Sequence, residues 1–336
     1  MATDVDKDAI VKSHATVLSV LDEAARIGRE LAPRIDRIFF VGCGGPNRTM
    51  LAVQYWIEQY STSLEVRRFY PAEFLTQSQP RLNEHTLVVL GSKSGTTPET
   101  IAAAEFLKDK PCITIGITEM ADKPLARVVQ TPLLMGEKAP TAAMFMIVAA
   151  LAGGLLAAKD GWPLADKLMS SLRALPQVMA DTAEIGDRRA IEDARLLKDD
   201  RILYHVASGP TFSTAYVFGV CVLMEMQWMH STALEAAEFF HGPFEIVDQN
   251  LPLVLLKSED PSRPLMDRVE RFCKKYTERT FIYDTKDYEM KGVAPEIRGW
   301  VGPFVLQAVV RRVAERLSVW HSHPLSTRRY MWKTEY

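Results

Sequence analysis

The stretch Thr86-Leu87-Val88-Val89-Leu90-Gly91-Ser92-Lys93-Ser94-Gly95-Thr96-Thr97-Pro98-Glu99 decides how this chain is read. An apolar run with β-branched residues at its centre predicts a strand covered on both faces. The small, hydroxyl-rich loop after it leads to Pro98, which suits the first position of a helix reaching Lys108. A strand passing through such a loop into a helix is one step of a parallel α/β sheet.

The same step recurs on both sides. Upstream, Arg37 to Val41 reads as a strand, Gly42-Cys43-Gly44-Gly45 as a tight turn, and Asn47 to Tyr60 as a helix. Leu64 to Phe69 and Cys112 to Ile117 read as further strands. Before them, the first 33 residues carry helical spacing and stop at Pro33. Gly161 to Asp199 is helical and charged, a connector. The pattern then restarts: strand Ile202 to Ala207, turn Ser208-Gly209-Pro210, and a long helix from Thr211 to about His230. Strands at Leu253 to Leu256 and Thr280 to Tyr283, with helices Arg263 to Tyr276 and Gly302 to Leu317, complete a second half. Two similar halves imply a duplicated α/β unit. The expected divisions are 1–33, 34–160, 161–199, 200–320 and a tail, 321–336.

Bulk properties exclude several classes. A chain of 336 residues accommodates two domains with real cores. A formal net charge of -2 argues against a nucleic-acid partner. The pairs Arg188-Arg189 and Arg311-Arg312 sit among acidic residues and read as solvated helix faces. The four cysteines, Cys43, Cys112, Cys221 and Cys273, are far apart and form no Cys-x-x-Cys, so neither a disulfide framework nor a metal site is expected. The start Met1-Ala2-Thr3-Asp4 is polar, with no apolar signal core, and a cytoplasmic protein is expected. Thr141 to Ala158 is an uncharged apolar run of 18 residues, long enough for a membrane helix. It is Ala-rich, includes Gly153-Gly154 and stands alone, so a buried helix at a domain or subunit interface is expected instead, and no membrane.

Three elements carry chemistry. At Ser92 to Thr97, hydroxyls, a lysine, backbone amides and the positive end of a helix suit a phosphate. The plain alternative is that Thr97 simply caps the helix. The Gly42 to Gly45 turn lacks the last glycine of a dinucleotide fingerprint, since Arg48 follows, and reads as a turn beside a ligand. Glu225 lies in a mostly apolar helix, where burial would lift its pKa toward that of a working base; otherwise it caps a core hydrogen bond or faces solvent. His241, in Phe239-Phe240-His241-Gly242-Pro243, reads equally as a general acid or a structural histidine.

In order and spacing these elements resemble the sugar-isomerase (SIS) fold, which includes the isomerase half of glucosamine-6-phosphate synthase. Within it the chain is most similar to the fructosamine-6-phosphate deglycases. The segments Glu238 to Ile246 and His323 to Lys333 look like those of enzymes acting on 6-phosphofructose-aspartate. The resemblance covers nearly the whole chain and implies an α/β protein of two SIS subdomains, each a mostly parallel sheet flanked by helices. It implies that Ser92, Ser94 and Thr97 hold the sugar phosphate with Lys93 beside them, and that Gly44 and Gly45 line the substrate. It implies Glu225 as the base, sixteen positions before His241, which assists ring opening and proton transfer. It further implies a homodimer in which His241 reaches the partner's site, and a tail that closes the site with either Arg329 or Lys333.

No cofactor and no metal are implied. Ala236-Ala237, Glu235 and Pro46 depart from the related deglycases, close to the site, and bear on which amine is released. The implied activity is conversion of a 6-phosphorylated fructosamine and water to glucose 6-phosphate and an amino acid. The alternatives are an amino-sugar or ketose phosphate isomerase and a non-catalytic sugar-phosphate sensor. A sensor would have no use for a carboxylate inside the long helix.

Overall fold

A computed structural model describes residues 4–77 and 79–335; Met1 to Thr3 of the polar start and Tyr336 of the tail fall outside. The chain forms two compact units. Among the described residues, one comprises 9–176 with Gly292–Ile297; the other comprises Gln177–Lys291 with residues 4–8 and 298–335.

The chain opens with α1 (Lys7–Ala15) and α2 (Leu21–Leu31), two helices where the spacing predicted one, and the N-terminal unit takes them up from Ala9. Then β1 (Arg37–Gly42), α3 (Gly44–Tyr60), β2 (Glu65–Phe69), α4 (Pro71–Thr76), β3 (Thr86–Gly91), α5 (Pro98–Leu107), β4 (Ile113–Thr118), α6 (Pro124–Val128) and β5 (Thr131–Leu134) alternate. The strands form one parallel sheet in the order β2-β1-β3-β4-β5. Strand β3 is buried along its whole length, as its apolar run required. Val88 and Leu90 pack with Phe39, Phe74 and Leu107 on one face. The edge strand β5 gave no sequence signal because it is short and carries Pro132, which only an edge tolerates.

Helix α7 (Thr141–Asp160) is the apolar run. It is long and apolar enough to cross a membrane, yet it is buried inside this unit against α2 and α3. Two glycines permit that packing. A Cβ built on Gly154 would lie 2.1 Å from the Ala25 carbonyl oxygen, and one on Gly28 would lie 2.2 Å from that of Leu151. The backbones of α2 and α7 therefore touch, leaving no room for side chains between them. Helix α8 (Ala165–Leu197) contains Pro176, where the chain passes from one unit to the other.

In the C-terminal unit β6 (Ile202–Ala207) is followed by α9 (Phe212–Tyr216) and a widened helical segment, Val217–Gln227. Strand β7 (His230–Glu235), β8 (Leu253–Lys257), α10 (Arg263–Tyr276), β9 (Thr280–Asp284) and α11 (Arg298–Trp320) follow. The sheet is again all parallel, in the order β7-β6-β8-β9. Two expectations fail here. The helix predicted to reach His230 ends at Gln227, and β7, unforeseen, begins at His230. The reason is Trp228, whose left-handed conformation (φ 56°) stops the helix and turns the chain into an edge strand.

The duplication shows in the first turns. Cys43 (φ -129°, ψ 162°) precedes Gly44 at φ 57°, and Ser208 (φ -129°, ψ 157°) precedes Gly209 at φ 52°.

Candidate active site

In the N-terminal unit the sheet order reverses between β1 and β3, the place where open α/β sheets bind ligands beyond their carboxyl ends. Gly42 pairs with Gly91, so the loops leaving those strands emerge side by side. One is Cys43-Gly44-Gly45; the other is Ser92 to Thr97. The structure thus brings together Gly44, Gly45, Ser92, Lys93, Ser94 and Thr97. Helix α7 starts beside them: a Cβ on Gly45 would lie 3.3 Å from the Thr141 hydroxyl.

The serine-threonine loop is shaped by its own hydroxyls. Ser92, 2% exposed, shares a 2.8 Å hydrogen bond with the Thr97 hydroxyl, and its Oγ accepts the Gly95 amide at 3.1 Å. Gly95 sits at φ 66°, and a Cβ there would meet the Thr118 hydroxyl at 2.4 Å, so only glycine fits. Ser94 and Thr96 are turned outward, with the Thr96 hydroxyl donating to Ser94 Oγ at 2.9 Å. Thr97 then caps α5 by its extended backbone, with no side-chain bond to the helix. Its hydroxyl serves the loop rather than the cap, so the plain reading of Thr97 as an N-cap accounts for only part of it.

Lys93 is anchored through its carbonyl, which accepts the Thr118 hydroxyl and the Glu119 amide. Its ammonium stands half-exposed, 3.8 Å from Glu119. The Cys43 thiol faces the same region, pushed up by burial and then by the Glu99 carboxylate.

The matching reversal in the C-terminal unit lies between β6 and β8, but a carboxylate of the chain fills it. Asp260, 4% exposed, accepts the Ser262 amide at 2.9 Å and the Thr211 hydroxyl at 3.5 Å. An anion already occupies the donors there, which leaves the N-terminal unit's loop as the candidate phosphate site.

Glu225 sits near the end of the widened helix. Its i→i+5 bonding persists to the Trp228 amide on the Leu223 carbonyl, a geometry that is rare and concentrates at functional sites. Burial pushes the Glu225 carboxyl up, and the Arg328 guanidinium only partly offsets that. The ion pair is direct: Arg328 Nη2 lies 2.8 Å from Glu225 Oε1.

Sequence reasoning missed Arg328 and left Arg329 and Lys333 as alternatives. The structure places all three in one strap that the helix end clamps. Gln227 Nε2 donates to the His323 carbonyl at 2.7 Å, and its Oε1 meets His321 at 3.1 Å. Arg329 stacks over the Trp228 ring at 4.2 Å. Lys333 Nζ donates to the Arg328 carbonyl at 2.6 Å. Neighbouring tail residues thus divide the work: Arg328 meets the carboxylate, while Arg329 and Lys333 fix the strap around it. Only their separate contacts distinguish them, and composition does not reveal those.

His241 is exposed, and among the described residues its imidazole makes no hydrogen bond or ion pair, with Glu225 or with the tail. Its segment is nonetheless held firmly. Phe239, fully buried, and Phe240 pack edge-on at 5.1 Å and both meet Phe272, leaving the histidine outside.

Residues 33–158 match the SIS domain family. The chain is 35% identical to fructosamine deglycase FrlB of Bacillus subtilis, over 90% of this chain and 93% of that one. It is 33% identical to the agropine synthesis conjugase of Rhizobium rhizogenes, over 90% of this chain and 87% of that one. A crystal structure from Bacillus subtilis, described as a phosphosugar isomerase, superposes with a TM-score of 0.87 at 33% identity, covering 94% of this chain and 100% of that one.

Proposed function

Since this chain belongs to the SIS-domain family, among the fructosamine deglycases, we propose that it hydrolyses a 6-phosphorylated fructosamine to glucose 6-phosphate and an amino acid. The observation that carries this reading is Glu225: a partly buried carboxylate, lifted by burial and held by Arg328, in a position suited to carry a proton.

In this reading Ser92, Ser94 and Thr97 hold the 6-phosphate with Lys93 beside them, and Gly44 and Gly45 leave room for the sugar. Anchoring the remote phosphate keeps the reacting carbons in register. His241, supplied from the partner in a homodimer, assists opening of the ring to the C2 ketone. Glu225 removes a proton from C1 as O2 takes one up, giving an enaminol, and returns its proton to C2 as the nitrogen gives up its own, giving the C1 imine of the aldose. Water adds to the imine carbon, and the amine leaves with a proton. One carboxylate serving both carbons on one face needs no electron acceptor, and each assisted transfer contributes roughly 10²–10⁴-fold. The tail bearing Arg329 and Lys333 closes over the substrate, through one or the other of them. The resemblance to a phosphosugar isomerase supports the phosphorylated substrate, and the expected setting is the cytoplasm.

The test is release of glucose 6-phosphate, measured in a coupled assay on a panel of 6-phosphorylated fructosamines, with fructose 6-phosphate and ammonia as a control. Release from any member establishes the deglycase. Isomerisation of fructose 6-phosphate with silence across the panel would replace it by the isomerase reading.

A further inference from the structure

The Arg328 guanidinium has one donor left without a partner among the described residues. Nη1 is committed to the chain, donating to the carbonyls of Leu325 at 2.9 Å and Thr327 at 2.8 Å. Nη2 meets Glu225 at 2.8 Å. Nε, on the same edge as Nη2, is buried and has no acceptor among the described residues. The residue is 9% exposed, with its cation 5.3 Å from the Trp332 ring centroid. A buried donor without an acceptor is costly to keep. The edge formed by Nε and Nη2 is the one that takes a carboxylate through two parallel bonds, and Glu225 occupies only half of it.

Resting on the deglycase reading, the geometry fixes what would complete that edge. A Glu225 carboxylate that removes a proton from C1 must lie against C1, which brings the Arg328 cation paired with it close to C1 as well. In a fructosamine formed on an α-amino group, the carboxylate is three bonds from C1, roughly 4 Å away with single bonds near 1.5 Å. In an adduct on the side-chain nitrogen of lysine, four more methylenes carry it out of reach. We propose that Arg328 is the specificity-determining residue for the amine half of the substrate. It pairs with the α-carboxylate, so the enzyme takes α-linked adducts of amino acids and discriminates against amines lacking an adjacent carboxylate.

The experiment compares 6-phosphofructosyl-glycine with 6-phosphofructosyl-glycinamide, which match in size and differ in that charge. Wild type should favour the acid by roughly 10- to 100-fold in kcat/KM, the value of a charge-assisted hydrogen bond. In Arg328→Met that ratio should collapse to within about threefold. The ratio is internal to each preparation, so the folded fraction cancels. If Arg328→Met turns over neither compound, Arg328→Lys decides, because it keeps the charge and loses the planar fork: a ratio reduced severalfold supports the assignment. A wild type indifferent to the carboxylate, or a variant that loses both substrates in proportion, overturns it and leaves the deglycase reading standing. A wild type that cleaves no fructosamine overturns both.

Discussion

Glu225 on the widened helix and Arg328 in the C-terminal strap meet at 2.8 Å, and the same helix end binds the strap through Gln227 and Trp228. The cation lowers the carboxyl while burial raises it, and burial wins. The charge state of this carboxylate is therefore set by burial and tempered by a tail residue that no motif announced.

If Glu225 is the base, Glu225→Gln should lower turnover by roughly 10²–10⁴-fold or more while substrate binding persists. The wild-type kcat/KM profile should rise with pH through a midpoint above the ordinary carboxylate range, because the base must be ionised and burial opposes that. Arg328→Met removes the group that favours ionisation, so its acidic limb should shift to higher pH. Coincident limbs in a pH-rate comparison would remove Arg328 from control of Glu225.

Ser94 and Thr97 should act on binding rather than on chemistry. Replacing either with Ala removes one hydrogen bond to a charged phosphate, about 1.5–3 kcal/mol, so KM should rise roughly tenfold or more with kcat little changed. Inhibition by inorganic phosphate should weaken in parallel. An unchanged inhibition constant in both variants would move the phosphate elsewhere. Ser92, 2% exposed and bonded to Thr97, should show a stability loss as well, about 1 kcal/mol on thermal denaturation.

Helix α7 gives a prediction independent of activity. Gly154→Ala places a methyl 2.1 Å from the Ala25 carbonyl oxygen, where backbone rather than a flexible side chain must yield. The cost should be about 1–3 kcal/mol or more, read as a lowered denaturation midpoint. A variant as stable as wild type would mean that α2 and α7 are not in backbone contact.

His205 predicts a pH dependence of stability. It is fully buried, held by Ser231 at 3.0 Å, and burial lowers it from 6.5 to about 3. The unfolded chain therefore binds a proton below pH 6.5 that the folded chain refuses. The stability this histidine contributes is complete above that pH and lost as pH falls toward 3, with a slope approaching 1.4 kcal/mol per unit. Denaturant titrations between pH 7 and pH 4 should show His205→Gln with the shallower loss. Equal slopes would assign the acid sensitivity to other groups, among them His14, which burial also lowers.

The sequence by itself determined the parallel strands, because runs such as Leu87 to Leu90 can be covered only on both faces of a sheet. It also determined the loop at Ser92 to Thr97, since those residue types after a strand and before Pro98 allow little else. It left three matters to the tertiary structure. The apolar run from Thr141 suits a membrane as well as a core, and only the close approach of Gly28 and Gly154 to a neighbouring backbone settles its place. The end of the helix bearing Glu225 depends on one left-handed residue, Trp228, whose side chain gives no local sign of it. That Arg328, and not Arg329 or Lys333, pairs with Glu225 rests on which way each side chain leaves the strap. That is fixed by contacts with Gln227 and Trp228, distant in the chain, and spacing along a tail carries no record of such contacts.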